Sequence, residues 1–558
     1  MPFRTSFGER IFKNKYALGQ NDTWQNRSRA IVNDVCGDRS EGPHKRTNPL
    51  MSKEDQRQLE QYITEMKFLP GGRYIYYAGR PLSFYNNCFV LIAEEDTREE
   101  WAAVTQRAMS CLMSGGGIGI NYDIIRPAGR TLQRTGGISS GPIPLMHVIN
   151  EVGRNVMQGG SRRSAILASL NWRHDDILDF IRSKEWSDLY IQLKAQDFNF
   201  PAPLDMTNIS VSYDNGLLDE MYDGEWDYDN HCVYPGSRIL NLPDVLQKNV
   251  SHALRHGEPG MLFNFGNHES EVGRNACGEF ISPNDSDVCN LGSINLSRIR
   301  NIAELGDVVR LASKFLVCGT LRADLPYDKV TNVREQNRKI GLGLMGLHEW
   351  LLQRNSNYEM TPELREWMEV YKNESERSAK EHADRFYISI PKRFRAIAPS
   401  GTIGILAGTT TGIEPLFATA YKRRYLRGGS NWQYEFVIDP IAEKIIQEYD
   451  IIPETSFDIS FEQRVRMQYD IQKYVDMGIS STINLPEFGS SGNNEATVDV
   501  FCSTIAKYLH GLRGLTLYPQ GSRMGQPLTP VDYNDAKKHT GVIFEENEET
   551  CAGGVCSI

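Results

Sequence analysis

The chain has 558 residues, 40% hydrophobic and 24% charged, with 61 basic against 71 acidic residues and a formal net charge of −10. Such a balance suits a soluble globular protein and argues against a nucleic-acid-coating one, while leaving room for a local basic pocket. No apolar run reaches the roughly 18–20 residues needed to span a bilayer, and MPFRTSFGERIFKNKYALG lacks the apolar core of a secretory signal, so a cytoplasmic protein away from membranes is expected.

Residues 1–65 are charged and helix-prone, with Ser52 ahead of Glu54 and Asp55 as a helix start. KFLPGGRYIYYAGRPLSFYNNCFVLIAEED then reads as a Pro-Gly-Gly loop, an aromatic strand and the buried strand CFVLIA. TREEWAAVTQRAMSCLM reads as a helix, the glycines of SGGGIG as a structural turn, and the residues after them as a short strand. Up to about residue 440, helical IPLMHVINEVGRNVMQ, DDILDFIRSKEW, VVRLASKFLVCGTL and GLHEWLLQ alternate with strand-like ISVSY, MLFNF, GSINL and YISI. This alternation predicts an α/β fold with buried parallel strands, most simply a barrel. Helices resume at DPIAEKIIQEYD and VDVFCSTIAKYLHGL, and the polar, acidic end is expected to be mobile. The expected division is a helical region over 1–65, a barrel over 66–525 and a flexible tail over 526–558.

Chemistry concentrates at a few places. Asn275, Cys277 and Glu279 alternate in NACGE; in extended backbone they would share one face, putting an amide, a thiol and a carboxyl on one pocket wall. Ten cysteines are too few and scattered for a disulfide scaffold, and no spacing marks a structural zinc site, so no metal is expected. Cys111, Cys232, Cys318 and Cys502 read as structural. Cys551 and Cys556, on a Gly-Gly-containing end, read as a mobile dithiol suited to thiol–disulfide exchange, with Cys88 and Cys289 as candidates for the disulfide it would reduce. In the stretch Pro399, Ser400, Gly401, Thr402 and Ile403 the small and hydroxyl residues expose backbone N–H groups ahead of a helix, as phosphate loops do, without the lysine of an ATP-hydrolysing loop. Gln158-Gly-Gly-Ser-Arg162-Arg163 is a basic loop suited to sensing a nucleotide.

NACGE followed by CNLGSINL, NNCFVL upstream, APSGTIGILAGTTTGIEP downstream and the terminal C-x4-C closely resemble, in this order, the catalytic chain of ribonucleotide reductases, most of all the compact ones of cyanobacterial viruses. The resemblance implies a ten-stranded α/β barrel of two antiparallel five-stranded halves with Cys277 on a central finger loop. It implies that Cys277 becomes a thiyl radical and takes the 3′ hydrogen of a ribonucleotide, that Glu279 serves as base on the 3′-hydroxyl, and that Asn275 bonds the substrate. Cys88 and Cys289 would supply two electrons, and Cys551 and Cys556 would re-reduce them and be reset by thioredoxin or glutaredoxin. A deoxynucleoside triphosphate effector would bind Asp96 and the loop around Arg130 and Arg134 at a homodimer interface, with Arg162 and Arg163 passing the signal on. An N-terminal ATP cone is not expected. Tyr518 has no second tyrosine beside it, only Pro519, which resembles the adenosylcobalamin-dependent enzymes; the overall length resembles forms that use a small ferritin-like radical subunit. The expectation is the separate subunit, with no cofactor in this chain; the alternatives are adenosylcobalamin dependence and, in another class, a non-catalytic nucleotide-binding barrel.

Overall fold

The computed structural model describes the chain apart from residues 1–2, 39–47, 87, 134–135, 157–163, 198, 223–225, 228–231, 234–238, 240, 428–430, 523–527 and 546–558. Five strands, Cys88–Ile92, Gly117–Asn121, Ile166–Asn171, Thr207–Tyr213 and Gly260–Phe263, pair in parallel in that order. They are almost wholly buried, as strands covered by helices on one side and protein on the other must be. Gly514–Pro519 joins the last of them antiparallel and carries Thr482–Leu485 in parallel on its far side; Asp287–Val288 pairs antiparallel with the first. A separate three-stranded sheet is ordered Phe68–Pro70, Leu291–Asn295, Gly341–Met345, the last two parallel. Single parallel bridges, Leu342 with Arg395 and Ile397 with Ile479, lie between these sheets. The architecture is thus mixed α/β with a large, parallel-rich sheet.

Several helices begin at a capping side chain. Ser52 Oγ accepts from Asp55 N at the start of Lys53–Thr64, and Thr97 caps Arg98–Met113 in the same way. The N-terminal helices pack into one large apolar cluster with Ile302–Arg322 and Pro362–Arg385; a second cluster lies under the five parallel strands. Between them a small cluster gathers Cys88, Val90, Ala276, Phe280 and Cys289.

Three expectations fail. RYIYY is not a strand: Gly72–Tyr77 is a helix, because burying Tyr74 and Ile75 against the core outweighs aromatic β-propensity. YISI forms no strand either; Tyr387 takes φ 52° and is 97% exposed after the long helix ends. The tail expected to be flexible over 526–558 is structured from 528 to 545, and 546–558 lie outside the described residues. Leu528–Pro530 and Ile543–Glu545 are the edge strands of a four-stranded sheet around the hairpin Ala420–Arg427/Asn431–Ile438, with helix Tyr533–His539 between them. Phe544 stacks on Tyr434 at 5.0 Å, an apolar contact hidden by the acidic residues that follow it. Among the described residues no helix is long and apolar enough to cross a membrane.

Candidate active site

Gly273–Arg274 and Ile281–Ser282 pair as a short antiparallel hairpin whose tip is Asn275–Phe280. The tip is a turn and not extended backbone: Asn275 N donates to Phe280 O at 3.1 Å, Gly278 N to Asn275 O at 3.1 Å, and Gly278 takes φ 82°. The trio therefore meets because the chain reverses at Gly278, a conformation glycine adopts without steric cost, and not through strand alternation. Glycines on both neighbours let the hairpin in. A Cβ at Gly119 would run into the Arg274 carbonyl, and one at Gly478 would stand 2.9 Å from Gly278 O and 3.0 Å from Glu279 Cα. SGGGIG is a turn only at Ser114–Gly115, with Gly115 at φ 83°; Gly119 belongs to the strand Gly117–Asn121, where its missing side chain admits the hairpin. Lys339 Nζ, buried, donates to Ile281 O at 2.9 Å and pairs with Asp287 at 3.0 Å, pinning the hairpin base.

Cys277 is exposed onto an open cavity of about 600 Å³ that it lines with Ala276 and Gly278, a volume in the range of small-molecule sites. Behind it, Cys88 and Cys289 are buried and free. Cys289 N donates to Cys88 O at 3.0 Å and Cys88 N reaches Cys289 Sγ at 2.9 Å. The Cys277 thiol is pushed up by its bond with Cys88, then by burial and the Glu279 charge. The Cys88 thiol is drawn down by its bonds with Cys277 and Cys289, whereas burial pushes Cys289 up. Three sulfurs thus share one set of contacts, with thiolate character favoured at Cys88.

Glu279 is 1% exposed, and burial followed by the charge on Cys88 raises its carboxyl to about 8; its own backbone and the Asn275 amide pull the other way. Its Oε2 and Asn275 Nδ2 complete no well-formed hydrogen bond, although the amide stands close enough to Glu279 and Cys88 to lower both. Asn275 Oδ1 is taken, accepting from Phe280 N at 3.0 Å, so only the amide nitrogen is left for a ligand. An accessible thiol, a carboxyl poised near neutrality and a two-thiol reservoir can pass hydrogen atoms, protons and electron pairs within one small space.

Other expected residues fall around this cavity. Pro399 and Gly401 line it. Ser400, at φ 49°, starts the helix Gly401–Ala407, which includes Thr402 and Ile403, and Ser400 Oγ accepts from Gly412 N at 2.7 Å. A side chain at Gly401 would meet open space. Tyr518 also lines the cavity. Its strand alternates, with Leu515, Leu517 and Pro519 buried and Thr516 and Tyr518 turned to the cavity side. Of the expected effector residues, Asp96 and Arg130 are described, and each has its own partner. Asp96 is held by Arg126, a residue absent from the sequence expectation, while Arg130 pairs with Asp175 at 2.9 Å. Arg130 sits on a small hairpin closed by Ser139 N donating to Arg130 O at 2.7 Å. Arg134, Arg162, Arg163, Cys551 and Cys556 lie outside the described residues. Of the cysteines read as structural, Cys111, Cys318 and Cys502 are buried.

The family profile "Ribonucleotide reductase, barrel domain" matches residues 86–374 and 391–518. The chain is similar to a vitamin B12-dependent ribonucleoside-diphosphate reductase of Mycobacterium tuberculosis (strain H37Rv), 30% identical over 88% of this chain and 74% of that protein. It is likewise similar to one from Thermoplasma acidophilum, 28% identical over 87% of this chain and 68% of the relative. A Mycobacterium phage D29 protein described as an adenosylcobalamin-dependent ribonucleoside-triphosphate reductase is 26% identical over 86% of this chain and 78% of its own.

Proposed function

This chain is a catalytic chain of the ribonucleotide reductase family, and from that premise we propose that it reduces ribonucleoside di- or triphosphates to 2′-deoxyribonucleotides with Cys277 as the radical-bearing thiol. The observation that carries the reading is Cys277 opening onto the cavity with Glu279 beside it and the Cys88–Cys289 pair behind. In this scheme the Cys277 thiyl takes the 3′ hydrogen and Glu279 takes the 3′-hydroxyl proton. The 2′-hydroxyl leaves as water while Cys88 and Cys289 give up two electrons and close to a disulfide. Asn275 Nδ2 orients the sugar, and the backbone of Pro399–Ile403 receives the phosphates. Replacing Cys277 by Ser should abolish deoxynucleotide formation and leave nucleotide binding intact; turnover within about tenfold of the parent refutes the reading, since a residue that carries the chemistry costs several orders of magnitude.

We read the strands as the two halves of a ten-stranded barrel. One half is the five parallel strands; the other runs through 291–295, 341–345, 394–398, 477–485 and 514–519. The two parallel bridges and the antiparallel junctions at 260–263/514–519 and Cys88/Cys289 support this closure. An effector nucleotide would bind by the 126–141 loop, with Asp96 and Arg126 in reach. The exposed Met109, Met113 and Val148, on the packed helices Arg98–Met113 and Ile143–Asn155, support a homodimer there. Cys551 and Cys556 would serve as the shuttle that thioredoxin or glutaredoxin resets.

For the radical source the expectation of a separate subunit gives way to its alternative. The relatives above are named for vitamin B12 or adenosylcobalamin, and Pro519, the neighbour of Tyr518, is buried and carries no oxidisable group. The site suits the cofactor in that Cys277 is open to the cavity and no relay is needed to reach it. Asn208, Ser210, Asn484 and Tyr518 are the polar cavity residues that would hold the adenosyl end. Bound there, adenosylcobalamin would supply the oxidising equivalent that removes the hydrogen atom from Cys277 Sγ. The chain with substrate, effector and a dithiol should turn over when adenosylcobalamin alone is added; turnover only with a metal-containing subunit refutes this choice.

A further inference from the structure

Away from the cavity, helix Asp244–His256 ends with His252 and His256, four residues apart and so on one face. Their rings stand 4.4 Å apart between centroids. Glu185, which follows the helix Ile177–Arg182, reaches the same point, with Oε1 3.1 Å from His252 Nε2. One ligating atom from each of the three lies within 4.8 Å of the other two.

The tautomer of the neutral His252 ring follows from the contact at its Nδ1. The ring is 7% exposed, and Nδ1 sits 2.6 Å from the Glu258 carbonyl. A carbonyl only accepts, so Nδ1 carries the hydrogen and the neutral ring keeps its lone pair on Nε2. That nitrogen is buried, completes no hydrogen bond, and faces a carboxylate. Two acceptors turned on each other need a proton or a cation between them. A histidine oriented through its far nitrogen by a backbone carbonyl is the arrangement in which histidines ligate metals.

The surrounding groove, about 300 Å³, is also lined by Arg182, Lys248 and Arg255, which alone would suggest an anion. Each of these already holds a carboxylate: Asp179, Asp244 and Glu495 respectively. The uncompensated feature is the electron-rich trio.

We propose that Glu185, His252 and His256 bind a divalent metal ion of the zinc class, with water completing a tetrahedral set. Two imidazoles and a carboxylate suit borderline ions such as zinc, cobalt(II) or nickel. The site is joined to the cavity: the Glu258 whose carbonyl orients His252 lines the cavity with Gly257, and its Oε2 pairs with Lys184 Nζ at 2.5 Å. A bound ion would therefore brace the 184–185 segment and the helix end against the cavity wall.

The test is titration of the full-length, metal-free protein with zinc and with cobalt(II) at neutral pH, followed by equilibrium dialysis and cobalt absorption. Cys551→Ser/Cys556→Ser is the background, because thiols also take zinc. The variants are Glu185→Gln and His256→Ala, both at exposed positions. The expected result is one equivalent with a nitrogen–oxygen cobalt spectrum, weakened more than about 100-fold in either variant, since losing a ligand costs more than the 10- to 100-fold of outer-shell changes. Equal stoichiometry and affinity in parent and variants would overturn the proposal. So would nitrogen NMR showing His252 Nε2 protonated under saturating zinc, or inorganic phosphate filling the groove in place of the metal.

Discussion

Glu279 offers the sharpest quantitative test. Its carboxyl titrates near 8 in place of the ordinary 4.5, chiefly through burial. A shift of that size corresponds to about 5 kcal/mol at 1.36 kcal/mol per pKa unit, a ceiling on the cost of ionising it in place. At pH 7 roughly one molecule in ten carries the carboxylate a general base requires. With pre-reduced enzyme in single turnover, kcat/KM should rise roughly tenfold from pH 6 to 7 and level off above about 8.5. Glu279→Gln should erase that limb and lower the rate by about 10²–10⁴-fold, the usual worth of a general base. Stability should move the other way. The folded protein holds the proton that the unfolded chain has released, so this group's contribution is full below about 4.5 and is lost as pH rises through about 8. Urea unfolding should accordingly find Glu279→Gln level with the parent near pH 5 and more stable above pH 8.5, by at most about 5 kcal/mol. A parent profile flat from pH 6 to 8, or a Gln variant within tenfold of the parent, would refute the assignment.

Gly119→Ala should force the finger hairpin off the strand, because its Cβ meets the Arg274 carbonyl, a backbone atom that cannot swing aside. The expected loss is roughly 1–3 kcal/mol or more of stability, with a disproportionate fall in turnover; wild-type melting and activity together would contradict the packing argument. Replacing both Cys551 and Cys556 by Ser should stop repeated turnover with thioredoxin yet permit one turnover of pre-reduced enzyme, measured as deoxynucleotide per chain. Undiminished thioredoxin-driven turnover would rule out the shuttle.

Four of the five parallel strands were legible as short apolar or strand-like stretches near turn residues, CFVLI most plainly, whereas the buried strands Ile166–Asn171 and Gly341–Met345 were not read as strands. The sheets' edges were not: the bridges of Leu342 with Arg395 and Ile397 with Ile479 are single residues that leave no periodic trace. NACGE was given the wrong backbone, since alternation and a turn through Gly278 bring the same three residues together and only the left-handed φ separates them. The strand at Ile543 was masked by the acidic residues after it. Glu185 joins His252 and His256 only through the packing of two distant helices. The H-x3-H spacing of SHALRH was the one signal available for that site.

The small sheet at the chain's end also sets the length of a tether. Leu528, Arg423, Glu435 and Ile543 are successive partners across it, and Leu528 lines the cavity. At about 4.8 Å between strands, Ile543 stands roughly 14 Å from the cavity's edge. Cys551 lies six residues past Glu545, the last paired residue, and Cys556 eleven. At no more than about 3.6 Å per residue, covalent geometry caps their distances from Glu545 at about 20 and 40 Å. On the proposed shuttle role, residues inserted after Glu545 should lower the effective concentration of both thiols at the cavity while leaving them chemically unchanged.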